Sequence, residues 1–138
     1  MIKAYRIFRI NKDFTPETLF HGFPYPDGTR SRKVPVDFVL EAERKAVHNP
    51  GKKEGPGFDS GWHVCLSLDE ADKYLSRFKD QSRLVVAQVW VNDNPRPKPR
   101  AASRVFLANE MKLTKGDWLW AIARWRMREN AAVSGKGS

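Results

Sequence analysis

Residues 61–91 read GWHVCLSLDEADKYLSRFKDQSRLVVAQVWV, and the fold class follows from this stretch. Trp62, Val64 and Leu66 alternate with His63 and Cys65, the two-residue period of a pleated strand. Ser67 then ends the strand and opens a helix. In Ser67-Leu68-Asp69-Glu70 the hydroxyl can accept a first-turn amide while Glu70 folds back on the cap. Both acids also lie at the positive end of the helix dipole. Leu68, Ala71, Leu75 and Phe78, flanked by Tyr74, fall on one stripe that faces a core. Residues 79–82 break the pattern, and 84–91 is a nearly unbroken apolar run, as in a central strand covered on both faces.

Outward from this unit, residues 4–10 (AYRIFRI) alternate as a first strand, and 11–13 form a turn. Residues 15–17 could open one helical turn, but 18–23 (TLFHGF) read as a second strand, which predicts an N-terminal hairpin. Residues 24–28 (PYPDG) force a loop, and 29–33 (TRSRK) form a basic surface connection. Pro35 suits a helix start, so 36–48 (VDFVLEAERKAVH) is predicted as one of two main helices, ended by Asn49-Pro50-Gly51. The loop 51–61 is glycine-rich and carries neither GxxxxGK[ST] nor GxGxxG. Residues 92–100 (NDNPRPKPR) make an extended, polyproline-like connector, and 104–113 resume as strand. Residues 118–127 (WLWAIARWRM) admit two conformations. Thr114 to Asp117 could cap a helix, whereas three tryptophans and an isoleucine suit a strand paired with 104–113, and the strand is preferred. The expected fold is a single α+β domain over 1–130, a mostly antiparallel twisted sheet with two main helices, followed by a flexible tail, 131–138.

At 138 residues with 41% hydrophobic content, the chain is large enough for one self-sufficient core. No apolar run approaches the roughly 20 residues of a bilayer span, and residues 1–6 lack a signal-peptide pattern. The single cysteine, Cys65, cannot form an internal disulfide, which predicts a reducing, cytoplasmic setting. Twenty-five Lys and Arg against 16 Asp and Glu give a net charge of +9, so the expected partners are nucleic acid or an acidic protein, not a membrane.

His21, His48 and His63 show no HxxxH spacing and the chain has no CxxC, so no metal site is expected. His48 suits a helix C-terminus and His63 a strand interior, while Gly22 beside His21 leaves room for a ligand. Glu41, Glu43, Glu54, Glu70 and Glu110 are the carboxylates that could serve as acid or base, Glu70 being taken by the cap. Trp118, Trp120 and Trp125 with Arg124, Arg126 and Arg128 form a basic-aromatic cluster. On a strand the three arginines would share a face at about 7 Å spacing and could follow phosphates while a tryptophan stacks a base. The candidate binding set is Arg96, Lys98, Arg100, Trp120, Arg124, Arg126 and Arg128.

Residues 61–67, Ala71-Asp72-Lys73-Tyr74 and 84–91 resemble part of the ADP-ribosyltransferase-like fold: a strand ending in serine, a helix with an A-x-x-Y pattern, then an apolar strand. Within that resemblance Tyr5-Arg6 is similar to the first-strand arginine of one branch and His21-Gly22 to the first-strand histidine of the other. The resemblance implies NAD as cofactor. Arg6 or His21 would position it, Gly22, Trp62, Ser67 and Tyr74 would line the nucleotide site, and Glu110 would be the acidic group. The strand expected to start with a glutamate starts with Ser103-Arg104 instead. The order of segments across the chain also resembles small bacteriophage proteins. The leading expectation is therefore a small basic accessory protein of phage type, without cofactor, that binds. It would inhibit or modulate a nucleic-acid-handling host protein, or contact nucleic acid, in the host cytoplasm. The alternative is an NAD-dependent ADP-ribosyltransferase-like enzyme or a non-catalytic nucleotide-binding relative.

Overall fold

The computed structural model describes residues 1–19, 22–25, 27–42, 46–47, 58–59, 61–99 and 104–136. Along them run β1 (Ile2–Ile10), β2 (Pro16–Glu17), β3 (Phe23–Pro24), β4 (Arg30–Ser31), β5 (Val39–Glu41), β6 (Ala46–Val47) and β7 (Phe58–Asp59). Then follow β8 (Trp62–Val64), α1 (Leu68–Leu75), β9 (Leu84–Val91), β10 (Arg96–Pro97), β11 (Phe106–Ala108), β12 (Glu110–Lys112) and α2 (Lys115–Lys136). The architecture is α+β with two helices among the described residues, and every strand pair in it is antiparallel. A five-stranded sheet has the order β2-β1-β9-β12-β5, a three-stranded one β10-β11-β8, and β3–β4 and β6–β7 form ribbons.

β1 and β9 pair along nearly their whole length, from Ile2 opposite Val91 to Arg9 opposite Leu84. The pleat sends Val85, Ala87, Val89 and Val91 to one face, where they pack with Ala4, Phe8, Ile10, Met111 and Leu113 and with Trp118, Ala121 and Ile122 of α2. Leu84 and Val86 point the other way, against Ile7, Cys65 and Val105 and against Ala71 and Leu75 of α1. One helix thus covers each face of β9, as its unbroken apolar run requires.

The central strand-helix-strand unit forms with its cap intact: the Glu70 amide donates to Ser67 Oγ at 3.2 Å. Its two strands, however, are not neighbours. β1 lies between them, joined to the end of β8 by paired Tyr5–Cys65 amide-carbonyl bonds of 2.8 Å each. β8 pairs instead with β11, and close approach is possible because residue 61 is glycine. A Cβ there would sit 2.9 Å from the Ala108 carbonyl oxygen.

Four expectations are corrected. The second strand of the N-terminal hairpin is β2, not 18–23, because Pro16, lacking an N–H, is suited to the outer edge of the sheet. Among the described residues of 36–48 there is no helix: β5 adds to the edge of β12, and Ala46–Val47 pairs with Phe58–Asp59. The cause is Asp37, held at φ 67, whose amide donates to the Leu113 carbonyl and whose carboxylate accepts from the Lys115 amide at 3.0 Å. Residues 118–127 are helix, not strand. Thr114 Oγ1 accepts from the Asp117 amide at 3.0 Å and donates to its carboxylate at 2.7 Å, closing the cap of α2. That helix continues to Lys136, so most of the expected tail is helical. The 104–113 strand divides at Asn109, where the chain passes from one sheet to the other. Asn92 Oδ1 holds the break by accepting from the amides of Asn109 and Glu110 at 2.7 and 2.9 Å. Among the described residues no helix is long and apolar enough to cross a membrane.

Candidate functional site

The sequence uses one turn twice. In the β1–β2 hairpin the Phe14 amide donates to the Asn11 carbonyl and the Asn11 amide to the Thr15 carbonyl, both at 2.9 Å. In the β3–β4 hairpin Gly28 and Tyr25 repeat this with Tyr25 and Thr29, at 2.9 and 2.8 Å. Each loop is tied by an aspartate, Asp13 or Asp27, that accepts from the amide and hydroxyl of the threonine two residues on. Those bonds hold both carboxyls below the usual carboxylate range. The fourth turn residue must adopt a left-handed backbone, where glycine is at ease. Gly28 does so at φ 87, whereas the first hairpin places Phe14 there, at φ 64 and 44% exposed.

A bulky residue in that conformation is held by its surroundings. Trp118 Nε1 donates to the Phe14 carbonyl at 2.8 Å. Arg83 donates from Nε and Nη2 to the carbonyls of Ile10 and Asn11, at 2.8 and 2.7 Å. The Arg83 guanidinium lies 5.8 Å from the Phe14 ring centre and 5.9 Å from that of Trp125, and Arg126 lies 5.5 Å from Phe14. Trp125 stands 6.3 Å from Phe14, its own N–H donated to the Ser82 carbonyl. Lys12, in the same turn as Phe14, is exposed.

Of the candidate binding residues, α2 distributes the arginines around its axis. The expected single stripe is thereby overturned: at 100° per residue Arg124 and Arg128 share one face and Arg126 turns away. Arg124 makes a two-pronged pair with Asp72 of α1, at 3.0 and 2.8 Å, which raises its pKa. Arg128 donates to the Gln81 and Leu84 carbonyls at 3.0 and 2.8 Å. The groove between these two arginines, α1 and β9 encloses about 310 Å³ over Leu75, Val85 and Val86. Trp120 is 41% exposed with Arg124 against its ring. Arg96 and Lys98 lie together on and just past β10, on the other sheet, and Arg96 donates to Asn109 Oδ1 at 3.2 Å. Arg100, His21, His48, Glu43, Glu54 and most of the loop 51–61 lie outside the described residues.

Of the nucleotide set, Trp62 and Tyr74 both lie near Arg6, whereas Glu110 stands apart from them. Trp62 is buried and donates to the Leu40 carbonyl, and Ser67 is engaged in capping. Gly22 faces β4, where an added Cβ would lie 3.2 Å from the Ser31 carbonyl. Arg6 sits opposite Ala87, whereas Glu110 sits beside Asn92 and faces Glu41. Five residues of strand, about 17 Å, separate the two along β9. Tyr74 is half-buried near Arg6, its phenol pKa raised by burial. No group of three or more potential metal ligands exists among the described residues. No family model, curated protein or solved structure matches the chain.

Phe14 and Arg83 escaped the sequence reading. The repeated Asp-x-Thr of residues 13–15 and 27–29, with glycine in one copy and phenylalanine in the other, is the signal that could have exposed the first of them.

Proposed function

We propose that the protein binds single-stranded nucleic acid on the platform formed by Phe14, Arg126, Arg83 and Trp125, with Lys12 in the same turn as Phe14. The observation that carries this is Phe14 itself: an exposed ring held in a glycine conformation, flanked by two guanidiniums. Non-specific single-strand recognition combines an aromatic ring that stacks a base with cations that follow the backbone. Arg126 is exposed and can leave the ring for a phosphate as a base takes its place. Arg83 is fastened to the loop by its carbonyl partners and stays near the ring, 5.8 Å from its centre. The net charge of +9 supplies long-range attraction.

Fluorescence anisotropy with a labelled oligothymidylate tests the proposal, with heparin and polyglutamate as competitors. Phe14→Gly is expected to weaken oligonucleotide binding about tenfold or more, the value of one lost stack, and to leave heparin binding nearly unchanged. Equal binding of polyglutamate and oligothymidylate, both indifferent to Phe14→Gly, would replace nucleic acid by an acidic protein surface as the partner.

A further inference from the structure

α2 is apolar on two opposite faces, and the sheet covers one of them. Trp118, Ala121 and Ile122 are buried in the core, with Trp125 packed beside them. At 100° per residue Leu119, Trp120, Ala123, Met127, Asn130 and Ala131 fall on the other side of the axis, and all six are exposed. They share a sector of about 120° that contains no charged residue. Leu119 is 56% exposed and Met127 73%. A helix that is apolar all round belongs in an interior, and a contiguous exposed apolar patch marks a contact surface.

The borders of that sector decide what fits it. Lys115 and Arg126, both exposed, stand along one border. Along the other is Arg124, which is paired with Asp72 and lies 5.7 Å from the Trp120 ring centre. An acidic helix or an anionic lipid surface would be matched by free cations on both sides, and only one side offers them. The sector itself is uncharged, so a second copy can cover it without burying a cation, despite the net charge of +9. It is also its own complement. Ala123 lies four residues from Leu119 and four from Met127, a small residue at the midpoint of two large ones. Two antiparallel helices crossing there, with axes about 8–10 Å apart, place Leu119 and Trp120 of each copy against Met127 of the other. A thioether against an indole is a favourable contact.

We propose that the outer face of α2 binds a second copy of this chain, forming a two-fold homodimer of antiparallel helices centred on Ala123. The interface is isologous, each residue meeting its counterpart's neighbour across the axis. It stands independently of the nucleic-acid platform. A single helix face from each copy buries less than the roughly 1,200 Å² of a stable interface, so the dimer forms with rising concentration. The two-fold axis is normal to the plane of the two helices, which puts Lys115 and Arg126 of both copies on one side of the pair. Salt screens their repulsion, so dimerisation strengthens as salt rises, the reverse of polyanion binding.

Sedimentation velocity of the full chain from micromolar to millimolar concentration, at low and high salt, tests the interface. The expected result is a monomer–dimer equilibrium that salt favours, retained in Phe14→Gly and weakened about tenfold or more in Met127→Glu, which buries an unpaired charge. Under mild oxidation, chains carrying Leu119→Cys should crosslink to chains carrying Met127→Cys, whereas the parent, whose Cys65 is buried, should not crosslink. A chain that stays monomeric throughout, or a dimer indifferent to Met127→Glu, would overturn the proposal. So would Leu119→Cys crosslinking to itself in preference to Met127→Cys, which a parallel pair would give. A monomer that instead floats with phosphatidylglycerol vesicles, and loses this in Met127→Glu, would assign the face to a lipid surface.

Discussion

Phe14 is where local preference and tertiary demand conflict most openly. A left-handed backbone costs a non-glycine residue about 1–2 kcal/mol, while exposed cation–π contacts return about 0.5–1 kcal/mol each. Phe14→Gly should therefore leave stability within about 1 kcal/mol of the parent in urea titrations, even as oligonucleotide affinity falls. A residue kept only for packing would behave in the opposite way. The turn itself was legible in Asn11-Lys12-Asp13, but the pin on Phe14 comes from Trp118, 104 positions away, which no local pattern reveals. His63 offers a second test at this scale. Burial, then Lys98, then Arg6 lower its pKa from 6.5 to about 4, so the unfolded chain takes up the proton more readily. Its contribution to stability is complete above pH 6.5 and is lost as the pH falls toward 4. The slope is at most about 1.4 kcal/mol per pH unit, less what residual solvent contact removes. Urea midpoints between pH 7 and 4 should fall less steeply in His63→Gln.

At the scale of elements, α1 and β9 were legible because several signals agree: a serine cap, a helical stripe, then an apolar run. α2 was not, although its buried residues Trp118, Ala121 and Ile122, with Trp125 beside them, keep helical spacing. The strand preference of three tryptophans outweighed a cap that the structure shows to be fully formed. Thr114→Ala removes that cap and should cost about 1 kcal/mol, seen as a lower urea midpoint with an unchanged slope. The Asp72–Arg124 pair bridges the helices across the side of β9, but each side chain is 39% exposed. Solvent screening keeps such a pair below about 1 kcal/mol, so Asp72→Asn should shift the midpoint less than Thr114→Ala. The helix expected at 36–48 fails for a reason invisible in its own spacing. Asp37 is recruited to α2, and the edge of β12 offers 39–41 a ladder.

Across the whole molecule, charge and chain order set the behaviour. The +9 balance is a property of the whole chain, but the arginines expected to carry it on one stripe are divided among an ion pair, carbonyl contacts and the platform. Binding should weaken linearly in log salt, and Arg126→Ala should lower the slope by about 0.7 for a single strand, one phosphate contact. An unchanged slope would remove Arg126 from the interface.

The pairing of β1 with β9 carries a final consequence. β1 is synthesised well before β9, yet it becomes a middle strand whose main partner starts more than 70 residues later. At about 5–20 residues per second the ribosome leaves that segment waiting for several seconds. Through that interval a ribbon bearing Ile7, Phe8 and Ile10 has its apolar side chains open to the cytosol of any expression host. Nascent-chain recognition by a holdase should therefore centre on residues 2–10, and slowing translation between them and residue 91 should lower soluble yield without altering the finished protein.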